Sequence, residues 1–171
     1  MLVLFTDTDT DILPKEAREL GYNLIHMPYM INDMIFYPYR DSDTFDFHKF
    51  YERLRDGVMP KTSAISPQEY IEYFEPFFKA GHDILYVHFS EAMSGTFNAM
   101  HIAYQDLLER YPERKLYTID MTTVSGSSAR AWIDYTVPHL PDAPTSLTAT
   151  RVSDNKVMSD KVQAVELHPP M

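Results

Sequence analysis

Apolar runs of strand length alternate along this chain with segments of helical period. That alternation predicts an α/β fold with a mainly parallel sheet and flanking helices. Two runs carry most of the weight. Residues 2–5 are continuously apolar, the mark of a strand buried on both faces, and residues 84–89 are an apolar run that carries His88. Between them, Tyr70, Tyr73, Phe74, Phe77 and Phe78 recur at helical spacing and form one buried face. At 171 residues the chain has the length of one domain with a real core.

The elements follow in order. Residues 2–5 begin a first strand, which runs into Asp7 and an acidic, hydroxyl-rich turn over 6–11. Pro14 opens a short helix that Gly21 closes. Residues 24–29 are a second apolar run. Asn32 and Asp33 stand between the β-prone segments 27–31 and 34–37, which predicts a hairpin. Asp46 is placed to cap a helix bearing Phe47, Phe50, Tyr51 and Leu54, and Gly57 stops it. Residues 60–66 are a polar connector. Ser66-Pro67-Gln68-Glu69 combines a capping box with proline at the first helical position, a strong helix start, and Gly81 ends that helix. The strand 84–89 then stops at the turn 90–96, and a helical pattern runs over 97–108. Residues 115–119 form a further strand ending at Asp120.

The chain changes character near Ser127. From Trp132 on it holds Pro138, Pro141, Pro144, Pro169 and Pro170 and no glycine, and neither period is sustained. Residues 143–171 are expected to be largely irregular, with a weak strand or two.

Composition excludes several classes of function. A formal net charge of −10 argues against nucleic acid and against a polybasic membrane patch, since both need clustered Lys and Arg. With no cysteine there is neither disulfide nor thiolate chemistry. No apolar run approaches the ~20 residues of a membrane span. The first residues lack a basic signal-peptide region, so a cytoplasmic protein is the default expectation.

A buried strand that stops at a small hydroxyl-rich turn and becomes a helix makes an anion site. The first helical turn has unpartnered N–H groups and partial positive charge. Ser94 and Thr96 add hydroxyl donors there, and Gly95 admits a ligand close to the backbone. The competing expectation is that Ser94 or Thr96 simply caps the helix. In parallel sheets ligands sit at the C-terminal strand ends. The turns after Asp7, at 90–96 and after Asp120 gather at that edge, and the connector with Thr62 and Ser63 is within reach of it.

The acidic turn at 7–11 also resembles the Asp-x-Asp-x-Thr turn of aspartate-nucleophile phosphatases, which use Mg²⁺. Asp11 departs from that pattern, and no distal acidic pair completes it. A metal-dependent phosphatase, or another small-phosphate enzyme, is therefore the alternative reading. The other reading is that these carboxylates cap the turn and the helix after it. Ser94 is not set in Gly-x-Ser-x-Gly, because Ala92 replaces the first glycine. None of the seven histidines forms a His-x-x-x-His pair, so neither catalytic nor metal-ligating residues are assigned. His88 and the aromatic residues of the 67–79 region are expected in the core.

Three segments line up with one family. Residues 6–12 (Thr-Asp-Thr-Asp-Thr-Asp-Ile), 60–67 (Pro-Lys-Thr-Ser-Ala-Ile-Ser-Pro) and 89–97 (Phe-Ser-Glu-Ala-Met-Ser-Gly-Thr-Phe) resemble motifs of the DegV family. Residues 39–41 and 50–54 fit between them in the right order. The similarity covers about residues 1–126, and residues 127–171 form a divergent tail. The resemblance implies a fatty-acid-binding protein without catalysis or cofactor, in some members the lipid-presenting subunit of a fatty-acid kinase. It implies a fold of two α/β parts with the acyl chain between them. By motif, Thr62 and Ser94 would hydrogen-bond the carboxylate of a long-chain fatty acid, with Ser63 and Gly95 completing the pocket. Asp120 to Gly126 still resembles a family turn, after which the resemblance stops. The expectation is a truncated or frameshifted reading frame from there on.

Overall fold

The computed structural model describes residues 1–88 and 94–120, with the backbone alone at Asp120, and the backbone of strands within 146–151, 156–163 and 165–166. β1 (Leu2–Asp7), β2 (Tyr22–Ile25), β6 (Asp83–His88) and β7 (Leu116–Asp120) form one parallel sheet in the order β7-β6-β1-β2. This is the α/β architecture that the alternation of strands and helices predicts. Helix α1 (Pro14–Glu19) connects β1 to β2. A second small sheet holds β4 (Met34–Phe36), β3 (Tyr29–Ile31) and β5 (Lys61–Thr62), with helix α2 (Phe47–Arg55) between β4 and β5 in sequence. Helix α3 (Pro67–Lys79) leads into β6, and α4 (Thr96–Arg110) leads from it towards β7.

Period-2 alternation sorts the strand side chains onto two faces. Phe5, Ile84, Tyr86 and Leu116 join the main core with Tyr70, Phe74 and Phe78 of α3 and Phe97, Met100, Tyr104 and Leu107 of α4. Leu85, Val87 and Ile119 face the other way, with Leu2, Leu4, Tyr22 and Tyr117 packed around them. The main core is aromatic and packed edge to face. Phe5 meets Phe74 and Phe77 with ring centroids 5.2 Å apart.

Local signals were accurate where they were dense. In α3, Ser66 Oγ accepts from Glu69 N–H at 3.2 Å while Ser66 N–H donates to Glu69 Oε2 at 2.9 Å, the expected capping box. Asp46 accepts from Lys49 N–H at 3.0 Å and caps α2. Asn32 and Asp33 adopt φ of 49° and 62°, the left-handed pair that a two-residue hairpin turn requires. The apolar run 24–29 is not one strand, however. It splits into β2 and β3 at His26-Met27-Pro28, because Pro28 has no N–H to offer a ladder.

Strands also form near the end of the chain. β8 (Ser146–Arg151) and β9 (Lys156–Gln163) pair antiparallel, and β10 (Val165–Glu166) adds to the main sheet antiparallel to β7. Pairing partners, rather than periodicity, set strand formation here. The expected change near Ser127 falls on residues 121–145, outside the described residues.

Candidate functional site

The C-terminal edge of the parallel sheet brings together the ends of β1, β6 and β7, from which the predicted polar segments lead. β1 ends at Asp7 and β6 at His88, both fully buried, and β7 ends at Asp120, which is in register with His88. The start of α4 follows β6. Residues 89–93, which include Ser90, lie outside the described residues, and so does the turn after Asp120.

At the start of α4, Gly95 occupies the N-cap position, with φ −69° and ψ −3° and no side-chain cap. Ser94 therefore does not cap the helix in the ordinary way. Its Oγ accepts from Thr96 N–H two residues on, at 3.3 Å, a local hydroxyl turn. Ser94 is half-buried and Gly95 exposed. A Cβ built at Gly95 would meet no heavy atom within 4 Å among the described residues. Neither packing there nor the backbone demands glycine.

Thr62 and Ser63 come from the small sheet. Thr62 is exposed in β5, in register with Tyr29 of β3. Ser63 is half-buried, and its N–H donates to Pro28 C=O at 3.3 Å. Two residues on, Ile65 N–H donates to Thr96 Oγ1 at 3.1 Å, a buried bond that spans 31 residues of sequence. Through it the Thr62–Ser63 segment meets the Ser94–Gly95 helix start. The connector does reach the sheet edge, and Thr96 is the residue that receives it.

Behind Thr96 runs a line of buried hydroxyls that the sequence did not reveal. Tyr70 OH lies 3.5 Å from Thr96 Oγ1. The Tyr70 and Tyr86 rings lie side by side, their centroids 6.4 Å apart. Tyr86 O–H donates to Asp7 Oδ2 at 2.8 Å. Burial pushes the Tyr70 phenol up to about 12, and burial followed by the charge of Asp7 raises Tyr86 further. Both phenols are neutral donors at neutral pH. Tyrosine rather than phenylalanine on a fully buried face was the available signal, since a buried phenol oxygen needs a partner. His88 lies in this core as expected, its ring 4.3 Å from Phe97 and 5.2 Å from Tyr86.

The acidic turn is a capping structure. Asp7 Oδ1 accepts from Asp9 N–H at 3.1 Å and caps a 3₁₀ turn over Thr8–Thr10. Thr10 Oγ1 donates to the Asp7 carbonyl, and Thr8 Oγ1 accepts from Met27 N–H at 2.9 Å, tying the turn to the end of β2. A phosphatase nucleophile must reach its substrate, whereas Asp7 is 0 % exposed and both its carboxylate oxygens accept hydrogen bonds. The phosphatase reading finds no support. The carboxylates do not cap α1, whose N-cap is Leu13. A separate cavity of about 580 Å³ opens beside Arg18, Tyr22, His26 and Tyr39, and none of Thr62, Ser63, Ser94 or Gly95 lines it.

Comparison with known proteins identifies the family and the fold. The family model described as "Uncharacterised protein, DegV family" matches residues 1–133. A DegV domain-containing protein of Clostridium perfringens is 36% identical over 118 residues, 69% of this chain and 40% of the relative. The chain thus spans less than half the length of that relative. A stearic-acid-binding protein of Eubacterium ventriosum superposes with a TM-score of 0.65 at 20% identity, over 73% of this chain and 43% of that one. The fatty acid kinase B3 protein of Streptococcus pneumoniae, loaded with linoleic acid, superposes with a TM-score of 0.55 at 22% identity, over 73% and 43%. Among the described residues no helix is long and apolar enough to cross a membrane. On the family match, the sequence identity and the shared fold together, the chain belongs to the DegV family.

Proposed function

We propose that this chain holds the carboxylate of a long-chain fatty acid and has no catalysis of its own. Thr62 and Ser94 donate to the carboxylate, Ser63 and Gly95 complete the pocket, and the acyl chain lies against the apolar interior. The observation that carries this reading is the Ile65–Thr96 bond, which brings two hydroxyl-bearing segments to one helix N-terminus. The fatty acids named for the superposed structures support the ligand class. The kinase-associated neighbour supports a further step, in which the protein presents the carboxylate to a separate fatty-acid kinase subunit for phosphorylation. In this reading the charge of −10 disfavours fatty acids in general, and local donors offset it at one point.

The energetics assign different roles to the two ends of the ligand. Each hydrogen bond to the charged headgroup contributes roughly 1.5–3 kcal/mol. Burial of the acyl chain contributes about 0.8 kcal/mol per CH₂. The chain supplies affinity and the hydroxyls supply orientation, which is what a presenting protein needs.

Native mass spectrometry of the protein expressed in bacteria should show added masses of long-chain fatty acids. By calorimetry, Thr62→Ala and Ser94→Ala should each weaken oleate binding roughly tenfold to a hundredfold. Ligand-free protein that also takes up no added oleate would overturn the reading. Unchanged affinity in both variants would remove these residues from the site.

A further inference from the structure

We propose that Thr96 is a positioning residue for the headgroup site, clasping the Thr62–Ser63 segment to the Ser94–Gly95 helix start. This rests on the reading above. Thr96 is 2% exposed, so it acts through its neighbours and not on a ligand. The 63–66 stretch is tied to the small sheet through Ser63 N–H and Pro28 C=O, and to α3 through the Ser66 capping box. The Ile65 N–H to Thr96 Oγ1 bond ties it to α4.

The direction of that bond is set by its donor: a backbone N–H only donates, so Thr96 Oγ1 accepts from Ile65. Tyr70 OH lies 3.5 Å from the same Thr96 oxygen, and Tyr86 O–H donates to Asp7 Oδ2 deeper in the core. Thr96 thus sits where the connector, α4 and the buried face of α3 meet.

The clasp explains why the family-like Ser-Gly-Thr turn and the Thr-Ser connector occur in one chain. Each supplies part of the pocket, and neither holds the other in place without Thr96. Thr96→Val keeps the shape and removes the acceptor, leaving Ile65 N–H buried without its partner. Thr96→Ser keeps the hydroxyl.

The test uses the full chain, oleate calorimetry and hydrogen–deuterium exchange at Ile65. Thr96→Val should bind oleate about tenfold more weakly and expose Ile65 N–H to exchange about tenfold faster. Thr96→Ser should stay near wild type in both. Leu107→Ala, buried on the same helix away from the site, should lower the melting temperature and leave oleate affinity unchanged. The proposal is overturned if Thr96→Val binds as wild type does, if Thr96→Ser falls as far as Thr96→Val, or if Leu107→Ala loses affinity equally. Wild-type protein that binds no oleate would refute the fatty-acid reading and leave the clasp to the exchange arm. There, faster exchange in Thr96→Val but not in Thr96→Ser upholds it, and equal protection in all three refutes it.

Discussion

The two halves of the candidate site are built on very different supports. Ser94 and Gly95 precede a helix that buries Phe97, Met100, Tyr104 and Leu107 in the main core. Thr62 and Ser63 extend from a three-stranded sheet whose neighbouring helix α2 buries none of its residues. The rings there, Tyr29, Phe36, Phe45 and Phe50, pack on one another at 5.5–6.3 Å, yet they form a cluster outside the main core. Phe47, Tyr51, Met34 and Ile35 of the same region are more than half exposed. One half of the site is therefore backed by the main core, and the other by a lightly buried sheet. Low local stability belongs to elements with few buried contacts, and binding segments are drawn from them.

Three measurements can break or sharpen this contrast. The largest effect is in packing. Phe74→Ala should cost about 3–5 kcal/mol in urea unfolding, because Phe74 is fully buried against Phe5 and Tyr86. Phe50→Ala in the half-buried cluster should cost about 1–2 kcal/mol. Equal costs would mean that the small sheet is as firmly built as the core.

The second effect is alkaline. The Tyr70 phenol is raised from 10.0 to about 12 by burial, so the folded state holds its proton more tightly than the unfolded chain. Its contribution to stability is complete below pH 10 and is lost as pH rises through about 12. Two units correspond to about 2–3 kcal/mol. Chemical denaturation across that window should show the loss, and Tyr70→Phe should reduce it. A profile unchanged in Tyr70→Phe would place the alkaline weakness elsewhere, as on Tyr86, whose phenol burial also raises.

The smallest effect lies at the junction of the two regions. Ser66→Ala should cost about 1 kcal/mol by removing the α3 cap. The loss should appear in thermal melts as a single transition if the two regions unfold together. A separate early transition would show the small sheet melting on its own.

What could be read from the sequence divides along the same physical line. The α3 start was legible because Ser66, Pro67 and Glu69 act on each other within four residues. The hairpin turn was legible because Asn32 and Asp33 alone set its backbone. That the connector after Thr62 and Ser63 could reach the sheet edge was legible from strand order, once the fold class was known. The bond that joins them was not legible. Thr96 could be seen only as a cap or a donor, because its partner Ile65 lies 31 residues away. Asp7 could be read only by its turn, because Tyr86 lies 79 residues away. The pairing of β10 with β7 was not legible for the same reason, since β10 is defined by its partner and not by its own two residues.

The position of β1 has a consequence for synthesis. Its residues Leu2 to Phe5 pair on one side with Asp83 to Tyr86, about 80 residues later in the chain. A ribosome adding ~5–20 residues per second leaves roughly 4–16 s between the two strands. During that interval β1 can pair with β2 on one edge, while the N–H and C=O groups of its other edge await β6. Such an edge recruits other chains. The nascent protein thus has an interval in which an interior strand of its main sheet is half-paired.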